Sequence, residues 1–121
     1  MQVLDPYFPQ CPVRNILARI GDKWTLLVLL ALAGSEVPMR YKALRAAIPD
    51  ITAKTLAQTL RNLEADGLVT RQVFAEVPPR VEYALTPRAH TLMPHLNALV
   101  AWGIDNLANI TADRRRYYGE G

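Results

Sequence analysis

Residues 40–68 constrain the fold of this chain more than any other stretch. Thr52 is a suitable N-cap, because its hydroxyl can accept a hydrogen bond from an unpaired backbone N–H of a first helical turn. The apolar residues that follow are Leu56, Leu60 and Leu63. Their spacing places them in one narrow stripe of a helix that faces a core. Gly67 is a suitable terminator, since glycine readily takes the left-handed conformation after a last helical turn.

A shorter helix is predicted directly before this one, at roughly residues 40–47. It offers Tyr41, Leu44 and Ile48 to the same core, and Pro49 with Asp50 ends it. Helix, short turn and helix form the helix-turn-helix layout, whose second helix can enter the major groove of DNA. Two packed helices with a solvated polar outer face would show the same spacing, so the spacing alone does not establish a nucleic-acid partner.

The outer face of the second helix carries long donors and amides and lacks bulky apolar side chains. The residues on it are Lys54, Gln58, Arg61, Asn62 and Ala65. The amide of Gln58 can pair with adenine through two hydrogen bonds. Lys54 and Arg61 suit phosphates, which position a protein without reading sequence. With the hydroxyls of the first turn included, the candidate DNA-binding residues of this helix are Thr52, Lys54, Thr55, Gln58, Arg61 and Asn62.

A β-hairpin is predicted directly after Gly67. Residues 68–73 and 81–85 are rich in β-branched and aromatic side chains, and Pro78-Pro79 marks a stiff connection between them. A hairpin that follows a recognition helix is a wing, and Arg80 lies at its tip or just past it. Arg80 is either an ordinary surface charge that pairs with Glu82 or a side chain that enters a narrow minor groove, where the negative potential is enhanced. We favour the groove and count Arg80 among the DNA-binding residues.

Two helices are expected before the helix-turn-helix. Cys11-Pro12 begins the first, with proline at the first helical position, where its missing N–H costs nothing. Asp22 can cap the second, and residues 24–33 are almost wholly apolar, which predicts a buried central helix. Gly34-Ser35 closes that helix, and residues 36–39 are a candidate short edge strand.

A long last helix is predicted to begin at Thr86-Pro87 and to run to about Ile110. Pro94 falls inside it, so we expect a kink or a break there. The polar tail, residues 111–121, is expected to be frayed. The helix carries more apolar surface than one domain needs, which indicates a partner helix from a second copy. The candidate residues of this dimer interface are Leu92, Leu96, Leu99, Trp102 and Ile104.

Composition bounds the remaining classes of function. The 121 residues suffice for a single domain, with residues 1–10 as an extended arm. A net charge of +3 permits a nucleic-acid partner without demanding one. The N-terminus does not have the pattern of a signal peptide, and the longest apolar run, residues 26–33, is too short to span a bilayer. We therefore expect a cytoplasmic protein with no membrane partner.

Nothing in the sequence indicates an enzyme. It contains no phosphate-binding glycine loop and no nucleophile with a paired base, so no catalytic residue and no cofactor are predicted. The single cysteine excludes an internal disulfide, and no Cys/His cluster has metal-ligand spacing. His90 and His95 are five residues apart, which does not place them together on one face as a metal pair. Trp24 and Trp102 are better explained as core or interface anchors than as a ligand-stacking pair.

These features together resemble the HxlR-type winged helix-turn-helix transcriptional regulators of bacteria, in the MarR-like superfamily. The resemblance covers about residues 11–103 and is carried by residues 11–13, 20–25, 51–56, 60–64, 66–71 and 76–87. It implies an α+β, mostly helical fold with a two- or three-stranded β wing and a long C-terminal dimerisation helix. It also implies a homodimer that binds a pseudo-palindromic operator in double-stranded DNA, with residues 52–66 as the recognition helix. Many members differ at Asp22, Ala43 and Thr59, carrying glycine, an acidic residue and arginine respectively.

Cys11 has two interpretations. Free cysteine is often a small buried residue, and packing at a helix start would explain it. Alternatively, the helix N-terminus and nearby Arg14 favour its thiolate, which is the reactive form. Some members of the family sense electrophiles or oxidants through a cysteine at this position, so the resemblance makes Cys11 a candidate redox sensor and such a molecule a candidate signal.

A winged helix used only for protein–protein contacts is the alternative function, without sequence-specific DNA binding. Surface charge distinguishes the two classes, because a DNA-binding protein needs positive charge on its recognition helix and wing.

Overall fold

The computed structural model describes residues 12–119, which form five helices and three strands. The helices are α1 (Pro12–Ile20), α2 (Lys23–Ala33), α3 (Tyr41–Ala47), α4 (Ala53–Ala65) and α5 (Pro87–Tyr117). The strands are β1 (Met39–Arg40), β2 (Val69–Phe74) and β3 (Arg80–Leu85). This element order confirms the predicted α+β fold with a small wing. Cys11 and the arm expected at residues 1–10 lie outside the described residues.

The helix α2 is the centre of the core, as its apolar run predicts. Val28 and Leu29 are completely buried, and so are Leu44 of α3 and Leu56 of α4. The other two leucines of the predicted α4 stripe, at positions 60 and 63, are no more than 2% exposed. The helix-turn-helix therefore packs on α2 through one leucine face and leaves the opposite face of α4 to solvent.

Asp22 fixes the start of α2. Its Oδ1 accepts the backbone N–H groups of Trp24 at 2.9 Å and Thr25 at 3.0 Å. Its Oδ2 accepts the hydroxyl of Thr25 at 2.7 Å, so the buried Thr25 side chain is also satisfied. A glycine at this position could form none of these side-chain bonds, which gives the departure from the family pattern at Asp22 a local structural role.

The wing is a three-stranded antiparallel sheet in the order β1-β3-β2. In the hairpin Phe74 lies opposite Arg80 and Arg71 lies opposite Tyr83, with residues 75–79 as the loop. The edge strand expected at residues 36–39 is instead Met39–Arg40, paired with β3. Pro38 has no backbone N–H to donate to a ladder, which explains why pairing begins only after it.

The helix α5 begins as predicted. The hydroxyl of Thr86 accepts the N–H of Ala89 at 3.2 Å and donates to the carbonyl oxygen of Gly67 at 2.7 Å. Of the kink or break expected at Pro94, the break was wrong, because one α-helix runs through it for 31 residues. Proline in a helix interior removes one backbone hydrogen bond, and the bonds on either side keep the helix continuous.

The expectation of a frayed tail from residue 111 was also wrong, since α5 continues to Tyr117. Arg116 Nη1 contacts Asp113 Oδ1 at 3.0 Å, one helical turn away. Three arginines in the last turn carry positive charge to the negative end of the helix dipole. Gly119 then takes a φ of +70°, and its N–H donates to the carbonyl oxygen of Arg116. These local interactions explain why a polar segment remains helical.

The chain divides into two compact units, one that ends at Thr91 and one that begins at Leu92. The first contains α1 to α4, the sheet and the start of α5. The second contains the rest of α5, a helix with large exposed apolar side chains. Those exposed by more than half on this part of α5 are Leu99, Trp102, Ile104, Leu107 and Tyr117. In the first unit, α1 has a similar character, with Val13, Ile16 and Leu17 each more than half exposed.

Candidate nucleic-acid interface

Three local interactions fix the turn between α3 and α4. The hydroxyl of Tyr41 donates to the carbonyl oxygen of Ala53 at 3.0 Å, which joins the start of α3 to the start of α4. In the turn, the N–H of Ile51 donates to the carbonyl oxygen of Ile48 at 3.1 Å. The Thr52 hydroxyl accepts the N–H of Thr55 at 3.1 Å, as expected of an N-cap. The recognition helix is therefore held at its N-terminal end before any ligand binds.

Three predicted DNA-binding residues form one hydrogen-bonded chain on the exposed face of α4. Arg61 Nη2 donates to Gln58 Oε1 at 2.9 Å, and Gln58 Nε2 donates to Asn62 Oδ1 at 3.2 Å. The amide of Gln58 is therefore held in one orientation, with its oxygen toward Arg61 and its nitrogen toward Asn62. Its second N–H and second lone pair remain available, which are the groups that a two-bond contact with adenine requires.

The other predicted residues of α4 lie at its N-terminal end. Lys54 is exposed in the first turn. The hydroxyl of Thr52 donates to that of Thr55 at 2.9 Å, so these two groups are already bonded to each other. Thr59, where many family members have arginine, is 7% exposed on the core side. Thr59 therefore contributes little to the exposed face of α4.

Arg80 contacts two carboxylates across the wing. Its Nη1 lies 2.8 Å from Glu76 Oε2 and its Nε lies 3.2 Å from Glu82 Oε2, although the Nε contact does not have hydrogen-bond geometry. The guanidinium also stacks on the ring of Phe74, at 4.0 Å from the centroid. The pairing with Glu82, which is the alternative to entry into a groove, is therefore present in the free chain.

The structure adds Arg71 to the candidate residues. It lies on β2, opposite Tyr83, at a cleft of about 190 Å³ beside α4 that Tyr41, Arg61 and Glu64 also line. Sequence reasoning missed this position because Arg71 is an isolated basic residue in a strand. The hairpin register is the signal that identifies this position. Phe74 lies opposite Arg80, so Arg71, three residues earlier on β2, lies opposite Tyr83, three residues later on β3.

The charge of this surface is not uniform. Residues 40–65 contain five basic residues, all exposed, and only two acidic ones, Asp50 and Glu64. The hairpin, residues 69–85, contains two arginines and two glutamates and has no net charge. Positive charge therefore lies on the helix-turn-helix, as the DNA-binding interpretation requires, whereas the wing is neutral overall.

The predicted dimer residues differ in how much surface they offer. Leu99, Trp102 and Ile104 are 56%, 59% and 71% exposed. Leu92 is half-buried and Leu96 is only 6% exposed in the single chain, so Leu96 has little surface left for a partner. Trp102 and Ile104 are two residues apart and so point to opposite sides of α5, with Leu99 closer in direction to Trp102.

Within the part of the chain that the structure describes, no group of three or more potential metal ligands comes together. The same range contains no helix that is both long and apolar enough to cross a membrane.

The wing and the exposed amide-bearing face of α4 define a winged helix-turn-helix protein, and comparison with known proteins agrees. Residues 19–111 match the model of the HxlR-like helix-turn-helix family. The chain is 46% identical over 98 residues to an HTH-type transcriptional regulator of Halalkalibacterium halodurans, covering 81% of this chain and 86% of that protein.

Two solved structures show the same similarity. The regulator YtfH of Salmonella typhimurium has a TM-score of 0.78 at 35% identity, covering 92% of this chain and 97% of that one. The redox regulator HypR in its reduced form has a TM-score of 0.76 at 36% identity, covering 84% of this chain and 99% of that one. The chain belongs to the HxlR-like helix-turn-helix family. The predictions of this family and of a DNA-binding transcriptional regulator are thereby confirmed.

Proposed function

We propose that the protein acts in the cytoplasm as a homodimer that binds a pseudo-palindromic operator, with α4 of each copy in the major groove. The observation that carries this proposal is the ordered chain Arg61–Gln58–Asn62 on the exposed face of α4. A face that served only for solubility would have no need of an amide held in one orientation. Such an amide offers one donor and one acceptor, the pattern that distinguishes adenine in the major groove.

The surroundings of α4 suit the phosphate backbone. Lys54 on α4 and the basic residues of α3 supply positive charge without contacting one base in particular. When α4 lies in the major groove and the wing near the adjacent minor groove, one DNA strand crosses between them. Arg71 borders the cleft at that place and is suited to a phosphate of that strand. The positive charge of the helix-turn-helix favours this function over a module for protein contacts alone.

Dimerisation is supported by the exposed apolar side chains of α1 and α5. A single copy leaves Ile16, Leu99 and Trp102 each more than half exposed. Several large exposed apolar side chains on one helix mark an interaction site, and closed two-fold dimers are the commonest assembly of soluble oligomers. Two-fold symmetry in the protein would require two inverted half-sites in the operator.

Control by an oxidant or an electrophile through Cys11 is the regulatory part of the proposal. One support is chemical, because Cys11 directly precedes the first residue of α1 in the sequence and a helix N-terminus favours a thiolate. One of the similar structures is a redox regulator.

The experiment that tests the function is selection of bound sequences from a library of random duplex DNA, with and without an added oxidant. The proposal predicts enrichment of an inverted repeat and loss of that enrichment in the oxidised sample. Failure of any sequence to be enriched under reducing conditions would overturn the DNA-reading role.

A further inference from the structure

Asp66 lies where three helices meet. It is the C-cap residue of α4, directly before Gly67, whose φ of +72° turns the chain toward β2. Its carboxylate accepts a hydrogen bond from Arg19 of α1, with Nη1 at 2.6 Å from Oδ1. Its backbone carbonyl oxygen accepts a hydrogen bond from Arg88 of α5, with Nη1 at 3.0 Å. The C-terminal end of the recognition helix is therefore bound to the first and the last helices of the fold.

The two arginine contacts with Asp66 join residues that are far apart in the sequence. Arg19 is 47 residues away from Asp66 and Arg88 is 22 residues away, so neither contact is a by-product of local chain geometry. The Arg19–Asp66 ion pair is largely shielded, with side chains 31% and 15% exposed. Arg88 also lies directly over Gly67, where a Cβ atom would come within 2.5 Å of its Nη1. Two guanidinium groups thus face the negative end of the α4 dipole, which strengthens both contacts.

We propose that Asp66 is a positioning residue that sets the separation of the two recognition helices in the dimer. The inference rests on the proposed function, because α1 and α5 are the helices whose exposed apolar residues are assigned to the partner copy. Arg19 fixes α1, and Arg88 fixes the first turn of α5, to the end of α4. In a dimer formed through α1 and α5, the placement of each α4 then depends on the Asp66 junction, and so does the half-site spacing that the pair accepts.

Half-site spacing is a sensitive measure of this separation. One added base pair moves a half-site by about 3.4 Å along the duplex and turns it by roughly 34°. A rigid junction therefore rejects a change of one base pair, whereas a loosened junction tolerates it. A role of Asp66 in stability alone would lower the affinity for all spacings by the same factor.

The test uses the full chain and a random duplex library, from which the distribution of half-site spacings among bound sequences is read. The variants are Asp66→Asn and Arg19→Gln, which remove the ion pair from either side, and the charge-reversed pair Arg19→Glu with Asp66→Lys. The control is Asp113→Asn, which breaks an ion pair with Arg116 whose side chains are 72% and 75% exposed. Thermal unfolding of each protein shows which variants are folded at the temperature of the selection.

We expect wild type and Asp113→Asn to select one sharp spacing. Asp66→Asn and Arg19→Gln should each reduce the preference over spacings one base pair longer or shorter by about tenfold, given the strength of a shielded charged hydrogen bond. The charge-reversed pair should regain most of the preference for the single spacing. If folded Asp66→Asn and Arg19→Gln both keep the sharp spacing, the inference is overturned and the proposed function stands. If wild type selects no paired half-sites, the dimeric function fails and the inference fails with it.

Discussion

Arg61 donates a hydrogen bond from Nη2 to Oε1 of Gln58 at 2.9 Å, so the residue best suited to read a base is oriented by its neighbour one turn away. This relationship changes the role expected of Arg61. A guanidinium that only neutralised phosphate would add affinity to every duplex alike. One that holds Gln58 in place should also affect which base is preferred.

Gln58→Ala should relax the preference at one position in each half-site. We expect a loss of about 1–3 kcal/mol of discrimination for the correct base, with little change in binding to random DNA. Arg61→Ala should reproduce part of that relaxation and also weaken every duplex. Titrations on matched and single-mismatch duplexes measure both effects. Gln72→Ala, which removes an exposed glutamine from β2, is the matched control. Unchanged base preference in Gln58→Ala would refute the reading role.

Lys54→Ala should weaken binding to all duplexes by the same factor. Each copy loses one phosphate contact, so the slope of log affinity against log salt should become shallower by about 2 for the dimer. Titration at several salt concentrations on matched and random duplexes provides the slope. A base-dependent loss, or an unchanged slope, would exclude a purely electrostatic role for Lys54.

Arg80→Ala should weaken binding most on sites whose wing-facing flank is A·T-rich, because narrow minor grooves attract arginine there. Glu76 and Glu82 must release Arg80 before it can enter a groove. Glu76→Gln should therefore strengthen binding to those same sites. Titrations on duplexes with exchanged flanks test both variants. If Arg80→Ala costs the same on either flank and Glu76→Gln gains nothing, the function of Arg80 is to hold the hairpin together.

Leu99→Asp should convert the dimer to a monomer at micromolar concentration and weaken operator binding, because a carboxylate would be buried in the apolar interface. Sedimentation velocity gives the assembly state. Ala75→Asp adds the same charge to the exposed hairpin loop, away from α5 in the sequence, and serves as the control for the assembly state. A wild-type protein that sediments as a folded monomer would contradict the assignment of this face.

Cys11→Ser should retain operator binding and lose its sensitivity to oxidants. Diamide, which is reduced to its hydrazine, oxidises the Cys11 thiol and a second thiol to a disulfide; because the chain has one cysteine, the second thiol comes from another copy or from a small thiol. Serine cannot form this bond. The measurement is operator affinity before and after treatment with diamide, and again after reduction with dithiothreitol. Release of the operator by diamide that persists in Cys11→Ser would assign Cys11 to packing.

Local rules predicted most of the helix-turn-helix. The leucine stripe of α4, the caps at Asp22 and Thr52, and the left-handed Gly67 each depend on residues close in sequence, and each is found as expected. The polarity of residues 111–121 predicts fraying and so underestimates the length of α5. The ion pair between Asp113 and Arg116 and the favourable charges at the helix end outweigh that polarity.

The roles of individual charged residues were less predictable, since they depend on tertiary pairing. The register of the hairpin places Arg80 within contact distance of both Glu76 and Glu82. The same register places Arg71 opposite Tyr83. The packing of α1 places Arg19 within ion-pair distance of Asp66. Periodicity identifies which residues share a face of one element, but it does not identify which faces of different elements meet.

The central claim is that two copies of α4 read one duplex. Its most direct test is the stoichiometry and specificity of the complex formed with the selected inverted repeat, measured by sedimentation of protein and labelled duplex together. We predict two chains per duplex, and markedly weaker binding when either half-site is scrambled. One chain per duplex, or equal binding to the scrambled sequence, would contradict the account.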